Sequence, residues 1–201
     1  SFGLDFLVHD QHGGDVDTIH NVREIGKDPD MVYKDPQNQA DYANRGEYDT
    51  YKYHKDPRYI AINRKVSESK KKGTLTDSYT GQTVAQNANI DLDHAISAKE
   101  IHDDPGRVLA GLSGIDLANC EDNLKPTDRS INRSMQDKDM EDYLQKWEAE
   151  RPQRQFRISE LTSKGSLSDK ERKELAKLEK LEQIDPEKMR AENKKARAVY
   201  E

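Results

Sequence analysis

Asp91-Leu92-Asp93-His94 stands at the end of a short apolar run, and about thirty residues later Asn123 and Asn132 follow, nine apart. Those residue types are sufficient to hydrolyse a phosphodiester. In-line attack by water needs a base for the water's proton and a cation to stabilise charge on the phosphate and the leaving oxygen. His94 can be the base. Asp93 beside it can hold the cation, because neighbours at a strand end reach a common point once the strand leaves its sheet. Magnesium takes few protein ligands and keeps several waters, so one carboxylate and one amide oxygen make a sufficient site. Asn132, at the start of a helix, is the candidate for that oxygen, while Asn123 suits a structural role, holding its loop by side-chain to backbone hydrogen bonds.

The neighbours of this set read less sharply. Asp91 is an orienting residue or a solvated carboxylate, and Arg129 and Arg133 either bind the scissile phosphate or lie on a solvated helix face. Cys120 is the only cysteine, and no second histidine joins His94, so one magnesium or manganese ion per site is expected rather than zinc. His102 with Asp103 and Asp104 resembles a ligand cluster, but Asp-Asp-Pro-Gly is a common turn sequence and a structural reading is preferred. His9, His12, His20 and His54 share no ligand spacing and read as surface or loop residues.

The elements that must carry these residues follow from patterning. Ile90 and Leu92 alternate with Asp91 and Asp93, the period of a half-buried strand within Ala88 to His94. Before it, Tyr79-Thr80-Gly81-Gln82 reads as a turn between short strands at Leu75 to Tyr79 and Thr83 to Ala85, or as the lead into one hairpin arm. After it, Ser97 to Leu112 is helical in parts around Pro105-Gly106, Leu124 to Thr127 is extended, and Asp128 or Ser130 starts the next helix. Met140, Tyr143, Leu144 and Trp147 fall at i, i+3, i+4 and i+7, an amphipathic helix within Asp137 to Glu150.

The flanks are more polar. Phe2 to Val8 reads as a strand, Asp17 can cap a helix ending at Gly26, and Lys27 to Arg45 is a loop with a short helix at most. Tyr48, Tyr51, Tyr53 and Tyr59 cluster near cations, as for bases stacked on rings, but read better as half-buried anchors. Asp56-Pro57 starts a helix that stops at Gly73. Its last turn carries Lys70, Lys71 and Lys72, which suit a helix C-terminus and equally a phosphate backbone. Beyond Arg151-Pro152 the composition shifts, and the expected boundary lies there. Ser168 and Glu171 form a capping box for a helix with Leu175, Leu178, Leu181 and Ile184, and Asp185-Pro186 starts another. The expected division is therefore 1–74, a partly helical extension; 75–150, the core; and 151–201, a charged helical hairpin whose narrow apolar seam docks on a partner or on the protein's own surface.

Composition limits the whole. Of 201 residues 32% are hydrophobic and 36% charged, and mean hydropathy is −1.12, too little apolar surface for one core through the entire chain. Net charge is −6. Leu75 to Lys146 holds 7 basic against 14 acidic residues, and Trp147 to Glu201 holds 14 against 12. Such acidity argues against nucleic-acid binding unless some carboxylates serve a cation. No membrane-length apolar run and no signal peptide are visible. The lone cysteine points to a reducing interior, with the cytoplasm of a bacterium or phage-infected host as the expected location. The chain starts at Ser1 and stops at Glu201 inside a helical pattern, so it reads as an excerpt whose function missing parts complete.

Asp91-Leu92-Asp93-His94, the Asn123 to Asn132 block and the preceding Tyr79-Thr80-Gly81 resemble the HNH, or ββα-metal, endonucleases. The likeness is closest to the variant whose third signature residue is asparagine, as in the HNH domain of RNA-guided CRISPR effector nucleases. It covers roughly Leu75 to Lys146. It departs at Met135, where a basic residue is often found, and in a longer insertion between His94 and Asn123. The resemblance implies an α+β fold with a ββα-metal core, Asp93 and Asn132 as metal ligands, His94 as general base and Asn123 as the structural asparagine of the loop. DNA is the implied substrate. The alternatives are a non-catalytic HNH-like scaffold whose C-terminal helices bind a protein partner in a phage or mobile-element assembly, and a toxin-type nuclease domain.

Overall fold

The computed structural model describes residues 35–199; the strand expected at Phe2 to Val8 and the helix expected after Asp17 lie outside them. Over the described residues the fold is α+β, mostly helical with a two-stranded antiparallel sheet. Two compact units form. One draws on the segments up to Lys65, His94–Leu124 and the chain from Asn193; the other draws on Val66–Asp93 and Lys125–Glu192. The consecutive division expected at residues 75 and 151 is not the division of these contacts. A shift in composition marks exposed charge, whereas a unit is defined by which apolar residues share a core, and each core here recruits distant segments.

In the first unit, α1 (Pro36–Ala43) starts where the Asp35 carboxylate accepts the Gln37 N–H at 2.8 Å and Pro36 takes the first turn, the short helix expected within Lys27 to Arg45. Helix α2 (Thr50–His54) is capped by Asp49. Helix α3 (Pro57–Lys71) begins here, with the Asp56 carboxylate accepting the Arg58 N–H at 3.2 Å. It is followed by Gly73 at φ +72°, a left-handed stop that favours glycine. Three short helices follow: α4 (Ala98–Asp103), α5 (Pro105–Leu109) and α6 (Gly114–Ala118). Tyr53, Ile96, Ile101, Ala118 and Ala196 are buried together. The Arg107 guanidinium donates to the carbonyls of Ile101, His102 and Leu112 at 2.6–2.7 Å, which ties α4 to the turn beyond α5.

In the second unit, β1 (Ile90–His94) pairs with β2 (Leu124–Asp128), each strand ending in one residue assigned to the first unit. Pro126 has no N–H to give a ladder, which a strand with one neighbour tolerates, and its carbonyl accepts the Ser78 N–H at 2.9 Å. The turn at Tyr79 to Gln82 is present, but its arms reduce to a single bridge, Thr76 to Thr83. The Asp77 carboxylate captures the N–H groups of Tyr79 and Thr80 at 2.8 and 3.2 Å, bending the backbone into a side-chain-stabilised turn in place of longer strands.

Helix α7 (Arg129–Met135) is capped by Asp128, whose carboxylate accepts the Ser130 N–H at 2.8 Å. Helix α8 (Met140–Thr162) buries Met140, Tyr143, Leu144 and Trp147, as the spacing requires, and continues through Pro152. The break expected at Arg151-Pro152 is absent. Pro152 removes one backbone donor without ending the helix, and further along the buried Arg154 has two guanidinium nitrogens 3.2 Å from the Trp147 carbonyl and Nε 2.5 Å from Glu182. Helix α9 (Asp169–Glu182) carries the expected capping box, and Arg157 grips Glu174 through Nε at 2.7 Å and Nη2 at 3.0 Å. Helix α10 (Pro186–Ala198) supplies Met189 to the core of Tyr79, Ile131, Tyr143, Leu144, Trp147 and Ile184. The apolar seam of the C-terminal helices is thus used in part by the protein itself. Among the described residues no helix is long and apolar enough to cross a membrane.

Candidate active site

Strand alternation puts Asp91 and Asp93 on one face of β1, opposite the buried Leu92. Arg129, Asn132 and Arg133 fall at i, i+3 and i+4 on α7, along one side of the helix. The two meet at Asp91, which accepts Asn132 Nδ2 at 3.0 Å and Arg129 Nε at 3.2 Å, with Arg133 Nε at 3.8 Å. Asp91 is therefore engaged by three side chains of α7 and is not a solvated carboxylate. By engaging the Asn132 amide through nitrogen, it leaves the carbonyl oxygen as the atom suited to a cation.

Asp93 is held differently. Its Oδ2 accepts the hydroxyl of Tyr79, fully buried, at 2.6 Å. Burial pushes the Asp93 carboxyl up to about 7; the Tyr79 bond pulls the other way and the Asp91 charge adds to the rise. Burial, then the nearby Asp93, raises the Tyr79 hydroxyl well above its ordinary value, so it acts as a donor. The Asp93 carboxylate and the Asn132 amide carbonyl are both oxygen donors, the kind that fits a hard cation such as magnesium or manganese. No group of three His, Cys, Asp or Glu side chains among the described residues is arranged to hold a metal.

Asp77, in the turn that carries Tyr79, is 4% exposed. Besides the two turn N–H groups it accepts the Thr127 hydroxyl at 2.9 Å and the Asp128 N–H at 2.8 Å. One carboxylate therefore joins the 77–80 turn, which carries Tyr79, to the end of β2, from which α7 and Asn132 depart.

His94, the residue after Asp93, belongs to the first unit. Its Nε2 lies 2.7 Å from Asn119 Oδ1. Burial lowers its pKa below the ordinary histidine value, the Asn119 bond acts against that, and His54 adds to the fall; the ring is thus biased towards the neutral form a base requires. The rings of His54 and Tyr59 stack at 4.8 Å, and both lie roughly parallel to His94 at 6.2 and 5.8 Å. Asn123 is fully buried and works wholly on backbone. Its Oδ1 accepts the Ile96 N–H at 2.7 Å, and its Nδ2 donates to the carbonyls of Ile96 and Ala118 at 3.1 and 2.8 Å. It shapes the chain just after His94, which matches the loop role expected for it and separates it from residues that could touch a substrate.

The remaining candidates are placed elsewhere. Lys70 Nζ donates to the Ala88 carbonyl at 2.7 Å, while Lys71 and Lys72 are exposed at the end of α3. His102 is 3.0 Å from the Gly46 carbonyl, Asp103 pairs with Arg45 at 3.2 Å and Lys99 at 2.9 Å, and Asp104 caps α5 at 3.0 Å; the cluster is structural. Of the tyrosines, Tyr53 is 3% exposed and Tyr51 is 68% exposed, so the anchor reading holds for the first and fails for the second. Sequence reasoning did not single out Asp77, Tyr79 as a partner of Asp93, or Asn119. Asp77 had a local signal, a carboxylate opening a Ser-Tyr-Thr-Gly turn. Asn119 had none, since its partners Tyr53 and Asp56 are more than sixty residues away in sequence.

No protein-family model, curated protein or solved structure matches the chain significantly.

Proposed function

We propose that this protein is a metal-dependent endonuclease of the HNH type that hydrolyses DNA phosphodiester bonds. The observation that carries the reading is the Asn132 to Asp91 contact: it sets an amide oxygen beside the strand face that bears Asp93, one residue before His94. A bound magnesium or manganese ion would stabilise charge on the phosphate and the leaving oxygen. Asp93 and Asn132 would hold it. Asp91 orients Asn132, and the Tyr79 hydroxyl orients Asp93. His94 takes the proton of the attacking water, the new P–O bond forms in line, the opposite ester bond breaks, and the departing oxygen collects a proton from solvent.

A second reading, a non-catalytic scaffold of the same type, is favoured by the engagement of Arg129 and Arg133 with Asp91 and of Lys70 with a carbonyl, which occupies cations expected to meet phosphate. Nicking of supercoiled plasmid in magnesium or manganese separates the two. The nuclease nicks, chelator stops it, and His94→Ala lowers the rate by roughly 10²-fold or more with its circular dichroism spectrum unchanged. Cleavage that survives in His94→Ala sinks the nuclease reading; a wild-type protein that never nicks leaves the scaffold.

A further inference from the structure

Asn119 is 1% exposed and lies between His94 and two groups that can only accept hydrogen bonds. Its Nδ2 is 2.9 Å from the Tyr53 carbonyl and 3.3 Å from the Asp56 carboxylate. The Tyr53 carbonyl is in the last turn of α2, where helical carbonyls lack a partner in their own helix. The Asp56 carboxylate already accepts the Arg58 N–H at the start of α3. An amide oxygen turned towards this pair would set lone pairs against lone pairs, so the NH₂ end must face them and the oxygen must face His94. At 2.7 Å from that oxygen, His94 Nε2 must carry the hydrogen.

We propose that Asn119 is a positioning residue which locks His94 in the Nε2–H tautomer, leaving Nδ1 as the nitrogen that accepts the proton of water. The tautomer follows from the hydrogen bonds alone; the part about water rests on the hydrolytic reading above. Because the amide is uncharged, it sets the ring's direction and proton placement without adding a carboxylate's charge beside the base. A buried partner on the far nitrogen is a recurring way to fix which side of an imidazole is basic.

The test is a long-range proton–nitrogen NMR correlation of the full chain labelled at histidine, recorded without metal or DNA at a pH where the ring is neutral, with His94→Gln used to assign the signals. The expected spectrum shows a protonated Nε2 and a bare Nδ1 for His94. Asn119→Leu, which has neither the acceptor nor the donor, is expected to lose that preference. In the nicking assay Asn119→Leu should lower kcat by about 10–100-fold with KM nearly unchanged. A wild-type His94 protonated at Nδ1, or an Nε2–H form that persists unaltered in Asn119→Leu, overturns the proposal. Should Asn119→Leu fail to fold, the wild-type spectrum still decides. An Nε2–H ring in a protein that does not cleave refutes the nuclease reading and leaves the positioning contact standing.

Discussion

The surroundings of His94 and those of Asp93 are held by opposite chemistry, although the two residues are adjacent in one strand. Around His94 the organisers are amides. Asn119 and Asn123 each donate and accept at once, bind backbone and ring, and add no charge. Around Asp93 they are the Tyr79 hydroxyl and, behind it, carboxylates. Asp77 collects four donors, and Asp91 gathers an amide and two guanidinium groups. A base has to stay neutral until it accepts a proton, and a nearby fixed charge would shift it. A cation site requires negative potential, and turn N–H groups can hold a carboxylate in place without removing it. Each organiser thus suits the role proposed for the residue it serves.

The largest expected effect outside catalysis is at Asp77. Asp77→Ala leaves two N–H groups, a hydroxyl and a further N–H without their acceptor in a buried place, which should cost about 3–4 kcal/mol by the usual penalty for unpaired buried groups. Trp147 is the sole tryptophan and lies in the core of the second unit, so urea unfolding followed by its fluorescence reads this directly; an unchanged midpoint would show that the carboxylate is not an organiser. Asn123→Ala should cost somewhat less, about 2–3 kcal/mol, since three backbone groups lose one side chain. Unfolding followed by far-ultraviolet circular dichroism is the measurement, and a variant as stable as wild type would remove amides from the comparison.

Tyr79→Phe keeps the buried ring and removes the hydroxyl that meets Asp93, with an expected loss of about 1 kcal/mol. It tests whether Asp93 is held by that donor, and weaker stabilisation of the variant by added magnesium in a thermal shift assay would confirm that its orientation matters to the ion. The smallest effect is at Asp104. Burial raises its carboxyl, against the hydrogen bond from Gly106. A carboxyl raised in the folded state favours folding fully below its unfolded value, and that advantage is lost as pH rises through the folded value. Asp104→Asn keeps the cap acceptor and has no charge to desolvate, so its stability relative to wild type should increase as pH rises across that window. Melting curves at acidic and neutral pH would show the opposite slope if the carboxylate is instead stabilised by its neighbours.

How much was legible varied with distance in sequence. The stripe of Met140, Tyr143, Leu144 and Trp147 was read correctly because helical spacing puts its members on one side before any tertiary contact forms. The stop at Gly73, the Asp128 cap and the Ser168 capping box are likewise short-range, each settled within four residues or so. The misread elements were those in which a distant partner outweighed local preference. Pro152 marks a break by itself, but the helix continues through it to Thr162, with Trp147 in a core that also holds Ile184 and Met189 from distant segments. Thr76 and Thr83 suggested longer strand arms until Asp77 took the turn's donors.

The same distinction holds for the site. The order Asp-x-Asp-His, with two asparagines downstream, is what the proposed chemistry was drawn from, and strand alternation alone puts Asp91 and Asp93 on one face. Tertiary structure decided what each group rests on: Asn132 on Asp91, Asp93 on Tyr79, His94 on Asn119. These contacts join residues 14 to 41 positions apart. Hydrogen bonds over such separations depend on where whole helices and turns come to lie, and no pattern within a short window encodes that.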